Sequence, residues 1–199
     1  MTNNALDQNA TTIKNLNARF KELCFCGITL SLLSGGVLIY NIIGPGEISE
    51  FDVDWGEIMR TPLNFLWFGV YVCGARLCYR AWQQIPADIA RTTPGKAAGF
   101  LFIPLFNLYW IFVAFWGLAK DMNRTLAEQH GNQHQVNESM GLAVCILPIF
   151  NLLLIVFMSV LHVPSIVTES VATVIGVLNS IVWILFFKSM KESTIALLN

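Results

Sequence analysis

The chain has 199 residues, of which 55% are hydrophobic and only 13% charged, with a net charge of −1 and a mean hydropathy of +0.58. About half the charge of an ordinary soluble domain cannot wet a globule of this size, and a chain this apolar is not a disordered one. A near-neutral balance also removes the electrostatic case for nucleic acid.

Residues 1–23 are polar, without the cationic start, short apolar run and small-residue site of a removable signal peptide. Ile13, Leu16, Phe20 and Leu23 recur at helical spacing while Lys14, Arg19 and Lys21 face elsewhere. This predicts an amphipathic N-terminal segment at the cytoplasmic interface. Residues 24–43 then supply about twenty apolar positions, enough to cross roughly 30 Å of hydrocarbon. Gly27, Ser31 and Gly35 mark a close-packing seam on this span, and Gly44, Pro45 and Gly46 end it.

The stretch 46–61 is acidic, with Arg60 its lone cation. Thr61 and Pro62 read as an N-cap and a first helical residue, opening a second span over 62–82. Arg76 and Arg80 lie near its far end, where they snorkel or find partners. A polar loop, 83–96, ends in Arg91, Thr92, Thr93, Pro94, Gly95 and Lys96. Its Gly-Lys pair lacks the upstream glycine and following hydroxyl of a phosphate loop; Thr93 and Pro94 read instead as a helix start.

Three more apolar segments follow, 97–119, 140–161 and 171–187. The last repeats small residues at Ala172, Gly176 and Ser180, and Lys188 and Lys191 close it. These boundaries divide the chain into a cytoplasmic segment 1–23, a transmembrane domain 24–191 and a cytoplasmic tail 192–199.

Positive residues in short loops stay cytoplasmic. If all five apolar segments cross, seven lysines and arginines fall inside and five outside. If 97–119 enters and leaves on one side, eleven fall inside and only Arg60 outside. The expected fold is therefore an all-α integral membrane protein, a helical bundle of four transmembrane spans plus one Pro/Asn-broken, re-entrant segment, with five spans as the alternative.

One internal signal stands out. Residues 103–113, IPLFNLYWIFV, and 147–157, LPIFNLLLIVF, share Pro, Phe, Asn, Leu and Ile at an offset of 44. Proline frees a carbonyl and bends a helix, and an amide in hydrocarbon seeks a partner. Pro104, Asn107, Pro148 and Asn151 are thus either the joints of two kinked helices or a helix-break site near the midplane. Paired broken helices of opposite direction build such sites in transporters, but opposite direction needs both segments to cross. The charge count argues the other way.

Arg76, Arg80, Arg91 and Lys96 form a cationic cluster around the loop 83–96, open to anionic lipid head groups or an acidic partner. Cys24, Cys26, Cys73, Cys78 and Cys145 lie in apolar runs without a CxxC and read as buried small hydrophobes. His130, His134 and Glu138 have helical ligand spacing, but the polar sequence around them reads as a solvated loop. Trp82 and Trp116 suit interfacial anchoring. No nucleophile with a base, no paired intramembrane carboxylates and no metal motif are present, so neither catalysis nor a metal or other cofactor is expected.

The run TTPGKAAGFLFIPLFNLYWIFVAFWGLAKDMN, residues 92–123, resembles a widespread group of uncharacterised bacterial multi-span membrane proteins. The shared positions are Thr93 to Ala97, Gly99 to Pro104, Phe106, Asn107, Tyr109, Trp110, Lys120, Asp121 and Asn123. The resemblance implies a bacterial cytoplasmic-membrane location and no activity. Two functions remain open with it. One is a non-catalytic sensor, anchor or scaffold, such as an envelope-stress or phage-defence subunit, that couples membrane state to a soluble cytoplasmic partner. The other is a small oligomeric channel or transporter-like protein using the Pro-x-Phe-Asn breaks. Both imply contact with membrane lipids, and the small-residue faces imply a homo-oligomer.

Overall fold

The computed structural model describes residues 3–43, 55–130 and 135–198; within 3–6, 37–38, 40–43, 55–67 and at 130 it describes the backbone only. The turn at 44–46, the acidic residues 47–54 and His134 lie outside the described residues, as do the side chains of Glu57 and Arg60. Every regular element among the described residues is helical. In chain order these are α1 (Asn3–Ile43), α2 (Trp55–Trp82), α3 (Pro94–Gly99), α4 (Phe106–Ile111), α5 (Leu118–His130), α6 (Glu138–Val160) and α7 (Ser165–Leu198). Two of them, α6 and α7, are long and apolar enough to cross a membrane.

The segment 97–119 is not one helix. Thr93 has the extended backbone of an N-cap and Pro94 takes the first helical position, where a missing N–H costs nothing. After α3 a 3-10 turn runs from Phe100 to Phe102. At 103–106 the chain then reverses. Phe106 N–H donates to the Pro104 carbonyl at 2.7 Å, with Leu105 between them at φ 63° and ψ −49°. That is a γ-turn of the strained hand. Past it come α4, a π-helical stretch from Phe112 to Gly117, and α5.

The two arms lie antiparallel. Phe100 packs on Phe106 and Trp110, with ring centroids 5.4 and 4.9 Å apart. Trp110 Nε1 donates across to the Lys96 and Ala97 carbonyls at 3.1 and 3.2 Å. At the base, Arg91 meets Asp121. The shorter arm rises about 15 Å, from 1.5 Å per α-helical and 2.0 Å per 3-10 residue. The hairpin therefore penetrates only part of the bundle's height.

Four long helices complete the bundle, and α2, α6 and α7 pack against the hairpin. α1 and α7 run antiparallel along most of their lengths: Asn9 Nδ2 donates to the Leu198 carbonyl at 2.7 Å, Lys191 sits over Phe20, and Gly27 faces Ile184. Residues 3–23 and 192–198 run on into the rest of α1 and α7 without a break. They are the ends of continuous helices, because Leu16 and Leu23 find apolar cover on α7, where Ser193 and Thr194 are also buried. The helix start expected at Thr61 and Pro62 is likewise absorbed inside α2, which begins at Trp55. α6 joins through Gly141, where an added Cβ would lie 3.2 Å from Phe186 Cε2. Asn137 caps α6 by accepting from the N–H groups of Ser139 and Met140.

The second Pro-Asn segment differs from the first. Pro148 lies inside an unbroken α6, so of the two alternatives the repeat left open, a break is found at Pro104 and a continuous helix at Pro148. The flanks account for the difference: Thr93 and Pro94 start a new helix ten residues before Pro104, whereas Pro148 is deep within a long apolar run whose ladder continues on either side.

Leu105 is 84% exposed, so its substitution reports backbone strain with little loss of packing. Leu105→Gly is expected to leave stability unchanged or raise it by up to about 1 kcal/mol, and Leu105→Val to lower it by about the same amount. Thermal melts of the purified variants in detergent check this order.

Candidate functional site

At the hairpin tip the helices enclose a cavity of about 200 Å³. Each surrounding element contributes to it: Leu23 and Gly27 from α1, Val70 and Tyr71 from α2, and Asn107 and Ile111 from α4. Pro148 of α6 and Asn179, Ser180, Trp183 and Ile184 of α7 complete the wall. No lining residue carries a charge.

The positions follow from the backbone. Asn107 is the second residue of α4, and its N–H returns to the Ile103 carbonyl at 3.0 Å, which ties its side chain to the turn. Tyr71 donates its hydroxyl to the Leu101 carbonyl at 2.9 Å. That carbonyl needs an outside donor because the helical ladder stops at the turn. The Asn107 amide also approaches the Tyr71 hydroxyl.

Trp183 is held between rings, 5.2 Å from Phe115 and 5.3 Å from Phe187. It also depends on Gly74, where any Cβ would lie 2.6 Å from Trp183 Cζ3. Only glycine at 74 leaves room for the indole in this position.

Four buried side-chain polar atoms among the described residues have no hydrogen-bond partner: Asn107 Oδ1, Asn151 Oδ1, Asn179 Oδ1 and Trp183 Nε1. Three of these four residues line the cavity. Unpaired polar groups in an apolar interior cost about 1–3 kcal/mol each, so their convergence on one space is a chemical feature of that space. Ser180 is different, since its hydroxyl is satisfied by the Gly176 carbonyl at 3.0 Å.

The structure thus divides the residues singled out by the repeat. Asn107 and Pro148 line the cavity, Pro104 shapes the turn from an exposed position, and Asn151 is half-buried outside the lining with its amide oxygen covered. Tyr71, Asn179 and Trp183 were not singled out. Asn179 carried a usable signal, an amide inside an apolar run, the same reasoning that marked Asn107. Tyr71 and Trp183 carried none, because aromatic residues in spans pack far more often than they bind.

The cationic cluster also divides. Arg76, Arg80 and Lys96 are exposed. Arg91 is instead forked onto Asp121: Nε donates to Oδ2 at 2.9 Å, Nη2 to Oδ1, and the backbone N–H to Oδ2 at 3.1 Å. Asp121 is only 2% exposed. Hydrogen bonding to it raises the Arg91 guanidinium above its ordinary pKa against the opposing effect of burial. Arg91 is therefore a clamp across the hairpin base rather than a free cation.

Buried Cys78 and Trp82 serve the π-helical stretch. Cys78 Sγ and Trp82 Nε1 donate to the Ala114 carbonyl at 3.4 and 3.1 Å, while Cys145 Sγ lies between the Gly141 carbonyl of its own helix at 3.1 Å and the Ile111 carbonyl just before the stretch at 3.3 Å. Trp82, expected at an interface, is instead 1% exposed.

Comparison of the chain with protein-family models, with curated proteins and with solved structures finds no match.

Arg91→Ala is expected to lower stability by about 1–3 kcal/mol, since it strips the fork from a buried carboxylate while one backbone donor remains. Arg91→Lys should recover only part, because an ammonium cannot form the planar fork. Melting of the detergent-solubilised variants measures both.

Proposed function

We propose that the chain is a non-catalytic multi-pass protein of the bacterial cytoplasmic membrane, a sensor or scaffold coupling membrane state to a soluble cytoplasmic partner. α1, α2, α6 and α7 are its four spans, the segment 94–130 a re-entrant hairpin, and both ends of the chain are cytoplasmic. Lipid contact and self-association through the small-residue faces belong to the same reading.

The observation that carries it is the hairpin's geometry. A 15 Å arm reaches about half of a 30 Å hydrocarbon core. Irregular backbone at that depth is tolerated where protein satisfies its polar groups, and here Tyr71 of α2 donates to the Leu101 carbonyl beside the turn, while the turn's exposed side chains are apolar. With this arrangement the loop 83–93, the end of α5 and the outer ends of α1 and α7 share one side. Arg60 is then the only lysine or arginine on the other. The two apolar helices add support. Only 11% of the most apolar window of α6 is buried, where the core helix of a soluble protein would be covered.

The lengths of α1 and α7 give the sensor reading a mechanism. At 1.5 Å per residue, 41 and 34 residues extend about 60 and 50 Å, well beyond the hydrocarbon. Their packed ends, bearing Arg19, Lys21, Lys188 and Lys191, would project into the cytoplasm beside the Arg91–Asp121 clamp. A displacement at the hairpin tip is thus linked through one stiff arm to a surface that a soluble partner can reach. The channel reading loses support with the second helix break, since a continuous α6 offers no opposed pair of broken helices.

Two measurements test the proposal. A cysteine at position 129, introduced as Gln129→Cys with the five native cysteines replaced, should resist an impermeant maleimide in intact cells and react after lysis; labelling from outside overturns the topology. Arg80→Gln combined with Lys96→Gln should remove a co-purifying soluble protein without shifting the melting temperature. If no such protein accompanies the wild type, the partner reading fails.

A further inference from the structure

We infer that the cavity at the hairpin tip is a binding site for a small uncharged molecule with an apolar body and one hydroxyl group. Its walls are predominantly apolar, from Leu23, Val70, Ile111 and Ile184. Three of the wall residues, Asn107, Asn179 and Trp183, each hold a buried side-chain atom without a partner, two amide oxygens and one indole N–H, and Trp183 is only 8% exposed.

A hydroxyl is the smallest group that answers both kinds of atom, donating to an amide oxygen and accepting from an indole N–H. A cation is disfavoured. No carboxylate lines the space, and an ion without a counter-charge in apolar surroundings is costly. An anion meets the same obstacle, since no lysine or arginine is in the lining.

Size limits the class further. An apolar cavity of about 150 Å³ accommodates benzene, so a volume of about 200 Å³ suits one substituted ring or the head of a branched chain. Two sources share this chemistry, a free phenol-like compound and the alcohol end of a membrane isoprenoid. Gly27 is the wall position with space beside it, because a Cβ there would meet Ile184 Cδ1 at an ordinary 3.6 Å. Larger side chains at 27 would project toward the site.

This inference goes beyond the sensor reading and fails separately from it, since binding is measured on purified full-length protein and topology on intact cells. The probes are 4-ethylphenol and farnesol, each titrated against the melting temperature of the protein in detergent. The wild type should show a saturable rise with at least one of them, and which one identifies the source. Asn179→Leu should melt no lower than the wild type without ligand, because it removes an orphaned amide, yet need at least 10-fold more alcohol for half the effect. Gly27→Leu should abolish the effect by occupying the space. No saturable rise with either alcohol overturns the inference, as does an equal response in wild type and Asn179→Leu, which would place the alcohol in the micelle. A saturable rise with sodium ions and not with the alcohols also overturns it.

Discussion

The chain reversal at 103–106 sets the terms for the rest of the structure. A γ-turn interrupts the ladder that otherwise satisfies the N–H and carbonyl groups of a helix, and the groups it frees need other partners. α2 supplies one, and the hairpin's own second arm supplies another. Tyr71 reaches the Leu101 carbonyl, and Trp110 bridges back to the Lys96 and Ala97 carbonyls. Lower down, Cys78 and Trp82 both attend to the Ala114 carbonyl of the π-helical stretch. A π-helical turn carries one extra residue and displaces carbonyls from their usual acceptor geometry, which gives these two side chains a common task.

The two ends of the hairpin are built on different principles. Its base is closed by a fork of charge-assisted hydrogen bonds on a buried carboxylate, which is directional and tolerates little displacement. Close approach reinforces it, since a Cβ on Gly117 would lie 3.1 Å from Arg91 Cδ. The tip has a strained turn, exposed apolar residues and one polar atom without a partner, Asn107 Oδ1.

Glycine and aromatic residues cooperate to set the cavity's shape. Gly74 admits the Trp183 ring against α2, and Phe115 and Phe187 fix its angle. Trp183 thereby becomes a wall with its N–H held in place rather than a mobile filler. Asn107 reaches the same space from the opposite side because the turn places it at the start of α4. The site thus belongs to no single element.

Much of this was legible in the sequence. Apolar runs and low charge pointed to a helical chain, and the described residues are helical in every regular element, two of them long and apolar enough to cross a membrane. Thr93 and Pro94 marked a helix start. Asn107 was recognisable as an amide that must be accounted for. Tertiary structure alone decided that Pro104 reverses the chain while Pro148, in a nearly identical pentapeptide, does not. Local sequence offers each proline the same options, and the neighbouring helix starts and packing partners choose between them. The same holds for Arg91, whose charge reads as surface until Asp121, thirty residues away, is folded beneath it. It holds too for Tyr71, Asn179 and Trp183, which become one site only when α2, α4 and α7 meet. Periodicity and composition report what each segment prefers; which polar atoms end up facing one another is settled by packing across the whole bundle.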